Sequence, residues 1–115
     1  MSTDWSDDIV VIELADEPAL SDELASVIQR VDEAGNDAPS VVLNCSSVTY
    51  VSSSNLAQML TLRKKLTEYG RSLRLCSVSE SVRSVFGVTG LEKLFRFAPD
   101  PMTALAGLQI EAGGQ

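Results

Sequence analysis

The sequence predicts an α/β domain, a small open sheet whose strands are joined by right-handed helical crossovers. Three observations predict it. Short β-branched apolar runs alternate with stretches whose apolar residues recur at helical spacing. A length of 115 residues holds one core and is too short for two domains. An apolar fraction of 44% supplies enough surface for burial to order the chain, which argues against intrinsic disorder.

Each element has its own signature in the chain. Residues 1–8 are polar and expected to be flexible. Ile9–Leu14 is β-branched and apolar, as a strand requires. Pro18 marks a turn, and Ser21 is suited to cap the next helix, with Asp22 and Glu23 at its positive end. Leu24, Val27, Ile28 and Val31 form one apolar face of that helix, and Gly35-Asn36 ends it. Val41-Val42-Leu43 is a continuous apolar run, which predicts a strand buried on both faces.

A polar stretch then leads through Tyr50-Val51 to the run Ser52-Ser53-Ser54, which opens a second helix. Leu56, Met59, Leu60 and Leu66 are its expected buried stripe, and Gly70 its stop. Leu73–Val78 reads as a third strand, Val82, Val85 and Phe86 as a short helix, and Leu94–Phe97 as a fourth strand. Pro101 starts a last helix carrying Met102, Leu105, Ala106 and Leu108. The folded domain is expected to span 9–110, with a flexible tail over 111–115.

Composition narrows the chemistry. The chain has no histidine, so no Ser-His-Asp triad, Cys-His pair or histidine zinc site can form. The formal net charge is -7, which argues against a nucleic-acid partner. That charge is uneven: residues 1–37 carry eleven acids against the single base Arg30, while 38–115 carry five acids against eight bases. In sequence terms Ser54 lies in the less acidic part. Cys45 and Cys76 each sit in an apolar stretch, which suits buried free thiols on neighbouring strands. No signal peptide and no run long enough to cross a bilayer is visible, so a cytoplasmic protein without membrane insertion is expected.

The serine run is the chemically distinctive place. Hydroxyls at a helix N-terminus cap orphan backbone N–H groups. A phosphate there would be favoured by those donors and by the helix dipole. Nucleophilic use of the serines lacks a base: the Gly-x-Ser-x-Gly elbow is absent, and Lys64 lies ten residues from Ser54, about 15 Å along the axis. No phosphate-cradling glycine motif, metal cluster or cofactor loop is present, so no enzyme, metal or cofactor is expected.

The order Val41–Asn44, Val48–Val51, then Ser52-Ser53-Ser54-Asn55-Leu56 resembles the STAS domain of bacterial anti-sigma factor antagonists. The resemblance covers about residues 9–108 and extends to Leu73–Cys76, Ser79–Phe86 and Leu91–Phe95. It implies a STAS-like fold with a central mixed sheet of about four to five strands and about four helices. It places the family's phosphorylated serine on Ser54, with Ser53 as the alternative. Ser52 stands where the family has an aspartate, and Asn55 where it has a glycine.

The resemblance further implies that Ser52, Ser53, Ser54, Asn55 and Leu56 contact a partner. That partner is an anti-sigma factor of the GHKL serine kinase type, and phosphorylation breaks the complex to regulate transcription. A phosphatase would be a further partner. Loss of the acid and the glycine leaves a second reading open: a STAS-type adaptor without a phospho-switch, in a signalling complex or as a lipid transporter subunit.

Overall fold

A computed structural model describes residues 8–113, with side-chain surroundings through Ile110. The expected flexible segments therefore lie largely outside the described residues. The chain runs β1 (Ile9–Ala15), α1 (Ala19–Ala34), β2 (Ser40–Ser47), α2 (Ser53–Glu68), β3 (Leu73–Cys76), α3 (Glu80–Val88), β4 (Phe97–Ala98) and α4 (Pro101–Gly113). Single 3-10 turns cover Gly35–Asp37 and Glu92–Leu94.

The α/β class is as predicted, and the described residues form four helices and a four-stranded sheet in the order β1-β2-β3-β4. Every pairing among the described residues is parallel, where a mixed sheet was expected. Sequential parallel strands with crossovers of one hand put their connecting helices on one face. Accordingly α1, α2 and α3 supply the larger core cluster, including Leu24, Val31, Leu62, Leu66 and Phe86. That cluster packs on Ile12, Val41, Leu43 and Leu75 of the sheet. The opposite face holds Val42 and Cys76, covered by Ala104 and Leu108 of α4. Val41, Val42 and Leu43 are all fully buried, as their continuous apolar run requires.

Three elements depart from expectation. Helix α1 begins at Ala19, and Ser21 lies inside it instead of capping it. The Glu17 carboxylate reaches over the first turn and accepts the Ser21 backbone N–H at 2.8 Å, so an acid does the work of the cap. The fourth strand is only Phe97–Ala98, because the 3-10 turn occupies Glu92–Leu94 and Phe95 turns inward. Phe86 makes T-shaped contacts with both Phe95 and Phe97, its ring centroid 5.3 and 5.4 Å from theirs. On α4 the buried pair is Ala104 and Leu108, while Met102 is exposed. On α2, Leu62 takes the fully buried position and Leu60 is half-buried.

Both cysteines are buried and free. Asn44 is the register partner of Cys76, so Cys45, the next residue along β2, points to the other side of the sheet. Burial pushes the Cys45 thiol up to about 12, and burial likewise raises Cys76.

Candidate functional site

In a parallel sheet all strand C-termini emerge at one end, so the loops after β1 and β2 are neighbours. Asp16 and Thr49 meet there although 33 residues separate them. The strand register sharpens the juxtaposition. Glu13 pairs with Asn44 but Ala15 with Ser47, so β2 spends one extra residue at this end. Such an irregularity bends the strand and re-aims the residues beyond it. The Asn44 carboxamide oxygen holds the bend by accepting the Ser46 N–H at 3.1 Å.

The connection from β2 to α2 is anchored at two levels. Val48 and Val51 are buried. Between them Thr49 donates its backbone N–H and its hydroxyl to Asp16, at 2.8 and 2.6 Å. The Thr49 hydroxyl, and then its N–H, hold the Asp16 carboxyl below its usual value. Tyr50 is left 66% exposed, a large ring facing outward beside the serine run.

Ser52 is the N-cap of α2. Its hydroxyl oxygen accepts the Asn55 N–H at 3.1 Å, and the Asn55 side-chain oxygen accepts the Ser52 N–H at 2.9 Å. This reciprocal pair is a capping box with asparagine in the position usually held by Glu or Gln. The other end of the Asn55 carboxamide donates to Glu17 at 3.2 Å and to the Ser21 hydroxyl at 3.3 Å. Ser21 in turn donates its hydroxyl to Glu17. Gln58 adds a bond to the Ser21 carbonyl at 3.0 Å. Donation from Ser21, hydroxyl then backbone, and from Asn55 lowers the Glu17 carboxyl from its ordinary range. The first turns of α1 and α2 are thus fastened by one polar network.

The five residues predicted for the site divide by exposure. Ser53 and Ser54 are exposed, and neither hydroxyl is engaged by a hydrogen bond among the described residues. Ser52 is half-buried. Asn55 is 0% exposed and Leu56 5%, so these two support the helix start from within. Met59 is also core, at 1% exposure. Sequence reading did not single out Asp16, Glu17, Ser21, Thr49 or Gln58 for this site. The acidic Ala15–Ala19 turn held the signal: an acid-bearing loop after β1 must border the loop after a parallel β2.

The fold also redraws the charge. Ser54 falls in the less acidic part of the sequence, but its helix start is docked on Glu17 and Ser21. No group of three or more His, Cys, Asp or Glu side chains suited to a metal occurs among the described residues. No described helix is long and apolar enough to cross a membrane. What the site offers chemically is two free hydroxyls at the positive end of a 16-residue helix.

Known folds resemble this one over nearly the full chain. An anti-sigma-factor antagonist (STAS) domain protein from Planctomyces limnophilus superposes with a TM-score of 0.78, at 17% identity, over 94% of this chain and 97% of that one. RsbS of Moorella thermoacetica gives 0.79 at 13% identity, over 96% of each chain. The Bacillus cell fate determinant SpoIIAA, in its phosphorylated form, gives 0.67 at 19% identity, over 91% and 96%. At these identities the likeness is one of fold. The family model for the STAS domain matches residues 7–104, from the first strand through the serine run to the first turn of α4, and the chain belongs to the STAS domain family.

Proposed function

We propose that the chain is an anti-sigma factor antagonist that binds an anti-sigma factor of the serine kinase type and is switched by phosphorylation at Ser54. The carrying observation is that Ser53 and Ser54 are exposed hydroxyls without hydrogen bonds, on a helix start whose other residues are locked. Existence of a phosphorylated SpoIIAA with the same fold supports the reading. The protein acts as a binding partner and kinase substrate in the cytoplasm, not as a catalyst.

The switch would work through charge. The Ser54 hydroxyl attacks the terminal phosphoryl of ATP held by the partner, ADP leaves, and the hydroxyl proton passes to a base of the kinase. The new group carries about two negative charges. Backbone N–H groups at the helix start and the helix dipole stabilise it in the free protein. The capping box stays intact, because Ser52 and Asn55 are not the acceptors. The contact surface of Tyr50, Ser53 and Ser54 then carries a dianion that a partner fitted to neutral hydroxyls repels.

A second reading, a STAS-type adaptor without a switch, is favoured by Glu17. Its carboxylate is tied to Asn55 one residue from the acceptor and opposes a second anion nearby. Incubation with the cognate kinase and ATP separates the two. Transfer of one phosphoryl group to Ser54, lost in Ser54→Ala and kept in Ser53→Ala, supports the switch. A partner that binds the chain with ATP present and leaves it unmodified overturns the switch in favour of the adaptor.

A further inference from the structure

The end of the sheet opposite the serine run holds a second charged site. Helix α2 closes there with Gly70 at φ +72°, and the Arg71 N–H returns to the Leu66 carbonyl at 2.7 Å while Gly70 donates to Thr67. That closure is the Schellman pattern, and it throws Arg71 back toward the helix it has just left. Arg74 lies near the start of β3. Arg63 projects from the last turns of α2, and Arg96 arrives in the segment leading into β4.

These four arginines line one cavity of about 130 Å³, together with Thr67 and Leu94, and no carboxylate lines it among the described residues. Part of this charge has a structural use. Arg63 donates its Nε to the Leu94 carbonyl, and Arg74 donates to the Leu73 carbonyl at 3.4 Å. Those bonds do not account for Arg71, whose Nε is buried without a hydrogen-bond partner. A buried guanidinium donor left unmatched is costly and signals an absent acceptor.

We propose that this cavity binds a compact oxyanion of the phosphate class. Guanidinium groups present forked, permanently charged donors that match tetrahedral oxyanions better than any other side chain does. Thr67 is not needed as a donor, since its hydroxyl already serves the Arg63 carbonyl at 2.8 Å. The donors assigned to the anion are the unmatched Nε of Arg71, which is buried, and the guanidinium of Arg96, which is exposed. The site stands apart from the serine run, so it does not depend on the function proposed for Ser54.

Titration of the full chain with inorganic phosphate tests the assignment, with sodium chloride at matched ionic strength as the reference. The expected result is saturable binding, a rise in melting temperature above the chloride reference, and movement of the Arg71 Nε–H resonance. Arg96→Gln is expected to weaken that binding about tenfold, the loss of one charge-assisted hydrogen bond. Lys64→Gln, an exposed charge outside the cavity, and Ser54→Ala should leave it unchanged. A nucleoside monophosphate binding more tightly than phosphate identifies the natural group as a phosphomonoester, and equal or weaker binding identifies the free ion. Phosphate effects no larger than those of chloride, or binding indifferent to Arg96→Gln, overturn the proposal.

Discussion

Asn55 uses both ends of its carboxamide: the oxygen holds Ser52, and the nitrogen reaches Glu17 and Ser21 across to α1. Replacing it with alanine strands the Ser52 N–H and the Glu17 contact at a helix start that cannot rearrange freely. Asn55→Ala is expected to cost about 1–3 kcal/mol, read as a lower urea midpoint with unchanged slope. The acids of the same network carry a pH dependence. Asp16 and Glu17 titrate below their ordinary values of 3.8 and 4.5, so their contribution is full above those values. It is lost as pH falls below 4.5 and through the lowered folded values, a fall in melting temperature that Glu17→Gln should flatten. At this scale the sequence was legible where the chemistry is local. Ser52, Ser53 and Ser54 are contiguous with the helix they start. Glu17 was not, because 38 residues separate it from Asn55 and only the parallel pairing of β1 with β2 joins them.

Helix ends decide more of this fold than helix interiors do. The left-handed turn at Gly70 both stops α2 and delivers Arg71 to its cavity. A Cβ at that position meets no neighbouring atom, so the penalty for Gly70→Ala is purely one of backbone conformation. About 1–2 kcal/mol of destabilisation is expected by urea denaturation. Apolar spacing identified each of the four helices, since a 3.6-residue period is written locally. Which side of a stripe is innermost was less legible. On α4, Ala104 displaces Met102 from the interface, because the second face of the sheet offers Val42 and Cys76 at close range and a small side chain lets the helix approach. The fourth strand shrank for a similar reason. Phe95 is drawn inward to Phe86, which breaks the alternation that Leu94–Phe97 displays in sequence.

Across the whole molecule the sheet separates two environments, and the thiols report both. Cys45 belongs to the core beneath α1 and α2, and Cys76 to the thinner layer under α4. Neither is expected to react with a water-soluble thiol reagent at neutral pH in the native protein, and both should react fully in denaturant. A native rate within a few-fold of the denatured one would show that the packing is looser than described. The same burial has a further consequence. The chain has no histidine, and its Cys45 thiol is pushed up to about 12 with Cys76 also raised. Neither an imidazole nor either thiol is then available to change charge between about pH 6 and pH 8. The serine run therefore has no imidazole or thiolate partner to make it answer to acidity in that range, and a new charge arrives there by covalent attachment or by a bound ion.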